Sequence, residues 1–401
     1  MIDLHIFEFP LSLILAMAVV LCVFVIRRSA AGRHLASLRI SVILLALTTV
    51  FLAVEGTLGC GLQHHWSFVA TVVILLLSLG LTSLRDFTGK SFCPLMSHLG
   101  LFLVLFGGLF GASDCTDVQM MVFSDGQQEH MAFSKDGYAV PLPFSISLQD
   151  FNIDLYDDGT SPKQYTSTLS IDGRTLQTSV NHPCRYKGYR IYQSGYDTED
   201  GRYSVLKIVR DPWLPLVAFG ALLLALAAVL SLKTVWNSWK IPAAALVLAV
   251  AFGAFSVARI NFGTLVPALR SLWFIPHLIV YMLAYSVMAL AVVTGIVRLF
   301  SARVPDGLSH KLLSTASSLL LIGMLCGAVW AKQAWGDYWT WDAKECWAAA
   351  TWVLTLGGIH LPDRKQALIF TVLAFLAIQM TWYGVNYLPS SVQSLHTYNA
   401  Y

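Results

Sequence analysis

The stretch Trp335-Gly336-Asp337-Tyr338-Trp339-Thr340-Trp341-Asp342-Ala343-Lys344-Glu345-Cys346-Trp347 lies between two long apolar runs, and the rest of the chain is best interpreted around it. It holds four tryptophans, one tyrosine and four charged side chains within thirteen residues. Tryptophan and tyrosine collect at membrane–water interfaces, so one explanation is an interfacial aromatic belt that binds no ligand. A belt does not require interleaved Asp, Lys and Glu, however, and a ligand-binding segment is the alternative.

The composition excludes a soluble globular protein. The 401 residues are 56% hydrophobic and 12% charged, whereas soluble domains carry about 25% charged residues. Apolar runs long enough to cross a membrane, roughly 20 helical residues each, recur along the chain. We predict a polytopic α-helical membrane protein with about ten transmembrane helices, at residues 9–26, 39–55, 66–84, 95–112, 212–232, 241–258, 274–297, 312–331, 347–361 and 367–385.

The basic residues in the connecting loops predict the orientation. Thirteen lie in the loops on one side: Arg27, Arg28, Arg33, Arg39, Arg85, Lys90, Lys233, Lys240, Arg298, Arg303, Lys311, Arg364 and Lys365. The short loops on the other side hold four: Arg259, Arg270, Lys332 and Lys344. Because Lys and Arg are enriched in cytoplasmic loops, the first side is predicted to be cytoplasmic. Both termini, the Trp-rich stretch and the long loop 114–211 are then extracytoplasmic.

The loop 114–211 has a different composition from the spans. Alternating segments such as Phe144-Ser145-Ile146-Ser147-Leu148 are separated by Asp-Gly dipeptides, which favour hairpin turns; these begin at Asp125, Asp136, Asp158, Asp172 and Asp200. We predict a small antiparallel β domain outside the membrane. It contains Cys115 and Cys184, and either a disulfide between them or two free thiols is consistent with an oxidising compartment.

Targeting signals and cysteine motifs do not indicate a function. Residues 1–8 include acids and no basic residue, so they do not resemble a cleavable signal peptide. The seven cysteines form no CxxC, which offers neither a zinc site nor a thioredoxin-like motif. The chain contains no CxxCH either, so it is not itself a c-type cytochrome.

The histidines form two pairs once the spans are oriented. His277 begins an outer helix end and His396 lies in the outer C-terminal tail, at the level of the Trp-rich stretch. His98 and His360 lie toward the cytoplasmic side of two other spans. Ionisable residues at membrane depth are costly and are functional candidates by default. A single one of them is as readily explained as an interfacial or hydrogen-bonded histidine, but two depth-matched pairs indicate a function.

These residue types suit haem. Two facing imidazoles can ligate haem iron axially, and flat indole rings can stack on a macrocycle; the candidates for these walls are Trp335, Trp339, Trp341 and Trp347. If the stretch is helical, Trp335 and Trp339 share one face, and Trp341 shares another with Lys344 and Glu345. The haem propionates require cations, for which the outer short loops offer Arg259, Arg270, Lys332 and Lys344.

The Trp-rich stretch also carries a family resemblance. Its Trp-Asp-x-Lys-Glu form, Trp341 to Glu345, resembles the WWD signature of the CcsA branch of the system II cytochrome c synthases, as do Gly327-Ala328-Val329-Trp330-Ala331 and Leu395-His396-Thr397-Tyr398. Upstream segments are similar to the partner subunit ResB: Ser97-His98-Leu99-Gly100, Leu142-Pro143-Phe144, Tyr186–Gln193 and Val209-Arg210-Asp211-Pro212-Trp213. The resemblance covers about residues 38–401 and implies a natural fusion, with a ResB-like part at 38–232 and a CcsA-like part at 233–401. The first helix, 1–37, has no counterpart in the family, and the external domain is small for it.

The resemblance implies a haem exporter and holocytochrome c synthase of the bacterial cytoplasmic membrane. Haem b, both substrate and bound group, would be held inside by His98 and His360. It would then be presented outside by His277 and His396, beside Trp335, Trp339, Trp341, Asp342 and Trp347. There it would be joined to the CxxCH thiols of apocytochrome c, with His277 and His396 as the catalytic pair. The implied partners are haem, apocytochrome c, the lipid bilayer and a thiol-reducing protein; no nucleic-acid partner is expected.

Three alternatives remain open from the sequence. One is a haem transporter without ligase activity, the second is a bis-histidine membrane cytochrome that carries electrons, and the third is a polytopic membrane protein with no cofactor. We see no dedicated acid or base for the thioether chemistry. Asp342 and Glu345 are instead expected to orient histidines or the Trp-rich loop.

Overall fold

The chain forms a bundle of membrane helices with a β domain inserted between the fifth and sixth of them. A computed structural model describes residues 9–197, 201–235, 247, 264–305, 307–362, 364–390 and 396. The helices in this part of the chain are α1 (Leu11–Ile26), α2 (Ala30–Leu35), α3 (Leu38–Leu58), α4 (Trp66–Thr88), α5 (Phe92–Gly111), α6 (Leu214–Val235), α7 (Phe274–Phe300), α8 (Leu308–Ala334), α9 (Ala343–His360) and α10 (Arg364–Trp382).

The predicted spans are matched by helices wherever the chain is described. Seven helices (α3–α8 and α10) are long and apolar enough to cross a membrane, and α1 is a shorter apolar helix of 16 residues. The ninth predicted span corresponds to α9, which has 18 residues. The predicted span 241–258 lies outside the described residues, apart from residue 247. The polytopic helical class is therefore confirmed, and the chain is a multi-pass membrane protein.

The helices pack into two groups. The first buries Ala16 of α1, Leu76 of α4 and Phe106 of α5. The second is built mainly from α7–α10, and α3 and α6 contribute buried side chains such as Leu52 and Leu224 to it. A close crossing of α5 and α6 joins the groups: a Cβ at Gly100 would lie 2.8 Å from the Gly220 carbonyl oxygen. Small residues allow this approach, and membrane helices associate largely through such packing.

The β domain is one eight-stranded antiparallel sheet in the order β5-β4-β3-β2-β1-β8-β7-β6. Its strands are β1 (Thr116–Phe123), β2 (Glu129–Ser134), β3 (Ala139–Leu155), β4 (Pro162–Ile171), β5 (Arg174–Ser179), β6 (Cys184–Tyr186), β7 (Tyr189–Tyr196) and β8 (Tyr203–Arg210). The sheet curls so that β4 and β5 at one end contact β7 near the other end. The Thr178 hydroxyl donates to Ile191 O at 2.8 Å, and the Ser167 hydroxyl donates to the Gln193 amide oxygen at 2.6 Å. The domain has its own core, which includes Val122, Ile146 and Ile208.

Each predicted Asp-Gly turn lies between two strands, although Asp200 itself is outside the described residues. The tightest turn, Asp172-Gly173, has positive φ at both positions, as a two-residue hairpin of this type requires. Cys115 and Cys184 are free thiols. Burial raises the pKa of both to about 11, so neither is a reactive thiolate at neutral pH.

The β domain is bound to the helical part through polar contacts. The ammonium of Lys207 on β8 lies 2.5 Å from Asp337 Oδ2, in the Trp-rich stretch, and 3.3 Å from Asp117 Oδ1 on β1. The Asn181 amide donates to Pro267 O at 2.8 Å, just before α7. At the start of the β domain, the Asp114 carboxylate accepts hydrogen bonds from Phe9 N and the Ser12 hydroxyl at the beginning of α1 and from Trp213 Nε1 just before α6. These contacts fix the Trp-rich stretch beneath the sheet.

We expect Lys207→Met to lower the free energy of unfolding by about 1.5–3 kcal/mol, because it leaves Asp337 without its ammonium partner in a largely buried position, while Asp117 keeps its pair with Lys135 at 2.9 Å. The measurement is thermal unfolding of the detergent-solubilised protein. Lys187→Met is the matched control, because the exposed Lys187–Asp172 pair is worth less than about 1 kcal/mol. Equal losses in the two variants would contradict a special role for Lys207.

Candidate functional site

His277 lies in the first turn of α7, and its imidazole is held by contacts with helix α8. Its Nδ1 lies 2.8 Å from Gly323 O of α8. A Cβ at Gly327, one turn later on α8, would lie 2.7 Å from the imidazole, so glycine is needed there to admit the ring. The neighbouring helix therefore fixes both the position of His277 and the nitrogen that faces the protein.

His396 is held in the same way by the Trp-rich stretch. Its Nδ1 bonds to Asp342 Oδ2, and its carbonyl oxygen accepts a hydrogen bond of 3.0 Å from the Lys344 ammonium. The ring of Trp335 meets the imidazole edge to face, with centroids 5.2 Å apart. His396 is thus bound to the Trp-rich stretch through both its side chain and its backbone.

Trp330 brings the two outer histidines into one site. Its ring lies 5.8 Å from the His277 ring and 5.8 Å from the His396 ring, centroid to centroid. It is 2% exposed, and its Nε1 donates to Ala268 O at 2.8 Å. The sequence reasoning missed this residue as a member of the site. It lies within the quoted Gly327–Ala331 motif, three residues after the glycine that admits His277, and that spacing was the available signal.

The Asp342 carboxylate also begins helix α9. Its Oδ1 accepts from Glu345 N at 2.9 Å, and the Glu345 side chain reaches back to Asp342 N, which is a complete capping box. Glu345 Oε2 accepts from Thr340 N at 2.6 Å as well. The expectation that these two acids orient a histidine and the loop agrees with these contacts. Asp342, Glu345 and His396 also have the spacing of a metal group, but their oxygens already serve the cap and the imidazole.

Residues 335–342 are irregular, so the helical faces considered above for the tryptophans do not exist. Trp341 has φ of +64°, a conformation that is costly for a side chain of this size, and Gly336 has φ of +88°. The helix begins only at Ala343. The reason is that Asp342 caps the helix at this point, which requires a non-helical backbone at the cap.

The four tryptophans of the Trp-rich stretch lie in different environments. Only Trp335 meets His396. Trp339 and Trp341 pack on each other at 6.0 Å, and Trp341 packs on Phe68 of α4 at 5.5 Å. Trp347 packs against Gly56 of α3. Of the four predicted haem walls, the structure therefore places Trp335 beside the outer histidines, and the other three form the packing around it.

The inner histidines contact each other directly. The rings of His98 and His360 are 6.2 Å apart, and two metal–imidazole bonds of about 2.0 Å would place ring centroids on the order of 6 Å apart across an ion. His98 Nδ1 lies 2.6 Å from Asp86 Oδ2, and His360 Nδ1 lies 2.7 Å from Leu356 O. Asp86 is a partner that the sequence reasoning missed. The signal available in the sequence was a carboxylate near the end of an apolar span.

One feature is common to all four histidines. Each directs Nδ1 at an oxygen acceptor, which is a backbone carbonyl at His277 and His360 and a carboxylate at His98 and His396. Such a partner fixes the tautomer with Nδ1 protonated and makes Nε2 the ligating nitrogen. The hydrogen positions follow from these partners. By contrast, His310 uses Nε2 for its hydrogen bond to Ile359 O.

A cavity of about 940 Å³ lies between the β domain and the Trp-rich stretch. Its walls include Trp335, Trp341 and Asp342 from the stretch and Tyr165 and Gln193 from the sheet. Its volume is at the upper end of the range for small-molecule sites. Trp335 and Asp342 line this cavity and also contact His396, whereas none of the four paired histidines is among its described lining residues.

The cations considered for the haem propionates are dispersed. Lys344 is bound to His396 and lies at the outer pair. Lys332 donates to Gly336 O at 2.8 Å. Arg270 bonds to Lys163 O and lies over Tyr156. Arg259 is outside the described residues.

Comparison with known proteins identifies two adjoining segments. Residues 89–202 match the profile of the ResB-like family, and residues 213–393 match that of the cytochrome C assembly protein family. The chain therefore joins a ResB-like segment and a cytochrome c assembly segment in one polypeptide. The predicted division at residue 232 stays a prediction.

Curated relatives share the second segment. The cytochrome c biogenesis protein CcsA of Chlamydomonas reinhardtii is 30% identical over 170 residues, which are 37% of this chain and 48% of the relative. The maize (Zea mays) protein of the same name is 40% identical over 104 residues, 24% of this chain and 30% of the relative. That of Porphyra purpurea is 27% identical over 217 residues, 40% of this chain and 67% of the relative. The chain thus spans about half of the first relative.

We expect Asp342→Asn and Asp342→Ala to differ in stability. Asparagine caps a helix about as well as aspartate, whereas alanine loses roughly 1 kcal/mol or more. Thermal unfolding should therefore show a clear loss for Asp342→Ala and a small one for Asp342→Asn. Indistinguishable unfolding temperatures for these two variants would show that the cap contributes nothing to stability.

Proposed function

We propose that this chain serves cytochrome c biogenesis by moving haem b from the inner histidine pair to the outer pair and joining it covalently to apocytochrome c. The observation that carries the proposal is the arrangement of four histidines in two pairs, each with Nδ1 directed at an acceptor and Nε2 directed away from it. The relatives named cytochrome c biogenesis protein CcsA support the same assignment for the second segment. The extracytoplasmic location of the β domain and the bacterial cytoplasmic membrane as its site are part of the proposal.

Helix α9 connects the two pairs. Its cap Asp342 holds His396 at one end, and its last residue is His360. Eighteen residues at 1.5 Å per residue separate these ends by about 27 Å, which is close to the thickness of the hydrocarbon core. The two pairs therefore suit haem uptake at one face of the membrane and presentation at the other.

At the outer pair the protein positions the reactants. Each thioether forms when the S–H bond of a substrate cysteine adds across a haem vinyl group: sulfur bonds to one vinyl carbon, the proton is taken up by the other, and no electrons are transferred overall. His277 and His396 would hold the iron, Trp330 and Trp335 would form fixed aromatic walls, and Lys344 would meet a propionate. Holding vinyl group and thiol together replaces a bimolecular encounter, which is worth several kcal/mol of barrier.

The cavity also suits the peptide substrate. Gln193–Tyr196 of β7 and Tyr165 of β4 line it, at the seam where the two ends of the sheet meet. An extended segment of apocytochrome c would lie in the cavity between this seam and the Trp-rich stretch and bring its CxxCH thiols to the haem edge. The thiols must be reduced, so a thiol-reducing protein is a second proposed partner.

The synthase is tested by producing the chain with a CxxCH reporter in cells that lack other assembly factors. We expect covalent haem on the reporter with the wild-type chain, and at least a tenfold loss with His277→Ala or His396→Ala. His310→Ala is the control, since its Nε2 is engaged by Ile359 O. Haem-loaded membranes without a labelled reporter would favour a transporter without ligase activity. A haem spectrum unchanged in both outer variants would remove them as ligands.

The inner site is tested at Asp86. We expect Asp86→Ala to weaken haem retention at the inner pair by roughly 10- to 100-fold, the usual effect of losing the partner that orients a metal-binding histidine. The measurement is haem absorbance per protein after purification under limiting haem, in a His277→Ala background so that the inner pair alone is observed. Asp172→Asn, far from both pairs, is the control. Full retention by Asp86→Ala would contradict the orienting role.

A further inference from the structure

A second cavity of about 350 Å³ lies where the β6–β7 hairpin meets the first turn of the membrane helix α6. We refer to it as the hairpin pocket. Its lining includes Arg185, Arg190, Lys187, Lys332, Asp211 and Leu214. The first four are cations, and Asp211 is the one carboxylate in the lining. Asp211 Oδ1 is already engaged by Trp213 N at 2.9 Å. The hairpin pocket therefore carries an excess of positive charge.

Three of these cations are in no ion pair within the part of the chain that the structure describes. Arg185, Arg190 and Lys332 form no salt bridge with any described carboxylate, whereas Lys187 is paired with Asp172 at 2.8 Å. Lys332 is 6% exposed, and its ammonium donates to Gly336 O and lies over the Tyr338 ring. Asp211 and Asp337 are near enough to attract this ammonium, but neither forms an ion pair with it, so an anion that approached closely would stabilise the buried charge.

The two arginines face each other across the hairpin. Arg185 and Arg190 are direct cross-strand partners, and like charges in that position destabilise a hairpin. The turn that joins them, Lys187-Gly188, has positive φ at both residues, so it is tight and keeps the backbones of the two arginines adjacent. The hairpin therefore presents two forked donors where an oxyanion could accept from both.

The position of the hairpin pocket beside a membrane helix indicates which kind of anion it would bind. Leu214 begins the membrane helix α6, and further along this helix Phe219, Leu222 and Leu226 are exposed apolar side chains. The hairpin pocket thus lies at the boundary between the β domain and the membrane, above a surface suited to acyl chains. Lys332 and Trp330 point to nearly opposite sides of α8, because two helical positions are about 200° apart. The hairpin pocket is therefore separate from the outer histidine pair.

We propose that the hairpin pocket binds the phosphate of an anionic phospholipid, whose acyl chains lie along α6. The lipid would compensate Arg185, Arg190 and Lys332, which come from the β domain and from α8. It would thereby fix the β domain against the helices that carry the Trp-rich stretch. This site is additional to haem handling and does not depend on it.

The test uses the full chain purified with phosphatidylglycerol and phosphatidylcholine of the same acyl chains, and native mass spectrometry to count retained lipid. We expect the wild type to retain phosphatidylglycerol selectively. Arg185→Gln together with Arg190→Gln should lower this retention by about fivefold per arginine, the usual value of a basic residue at a lipid surface. Lys365→Gln, an exposed lysine at the opposite end of the helices, is the control. Equal retention in the double variant and the control would overturn the proposal.

Two further outcomes are decisive. If inorganic phosphate raises the unfolding temperature of lipid-free wild-type protein but phosphatidylglycerol is not retained, the site binds a free anion and the lipid assignment is wrong. If the double variant keeps the lipid but loses haem absorbance, the hairpin pocket serves haem carboxylates instead. Misfolding does not obscure the result, because Arg185 is exposed and Arg185→Gln removes a like-charge contact. This single variant should be at least as stable as the wild type without lipid, and it should show about half of the expected loss on a logarithmic scale.

Discussion

The Asp342 carboxylate is the contact on which most of the candidate site depends. One of its oxygens caps α9 through Glu345 N, and the other accepts from His396 Nδ1. The first contact determines where the irregular Trp-rich stretch ends and the helix begins. The second holds the His396 imidazole at the same point. Because α9 ends at His360, the position of the cap also determines the level at which the inner pair lies.

The Trp-rich stretch is held from the opposite side by the β domain. Lys207 binds Asp337, and a Cβ at Gly336 would lie 3.1 Å from the Tyr192 ring, so sheet and stretch are in close contact. Fixed at Asp337 and at Asp342, the backbone between them adopts a positive φ at Trp341. Strain of this kind persists only where surrounding contacts require it. In this conformation the Trp341 ring packs on Phe68.

The features that the sequence predicts well are those with a short-range physical cause. Apolar runs of sufficient length define the spans, and Asp-Gly dipeptides define the turns. Because successive spans cross the membrane in opposite directions, the sequence also predicts that His98 and His360 lie at a similar membrane depth. Trp330 and Asp86 could not be placed in this way, because their roles come from contacts between helices that are distant in sequence. The irregular backbone of 335–342 was equally inaccessible. It is held by the Asp342 cap at its end and by the contact of Asp337 with Lys207, which lies 130 residues earlier in the chain.

The two segments of the chain form parts of the same sites. The inner pair takes His98 from the ResB-like segment and His360 from the cytochrome c assembly segment, and their rings contact each other. Helix α3 packs against α9 where Gly56 meets Cys346 and Trp347. The proposed inner haem site takes one histidine from each segment, so in two separate subunits it would exist only after they associate. Joining them in one chain replaces that association by an intramolecular contact at high effective concentration, and the inner pair then forms as part of folding.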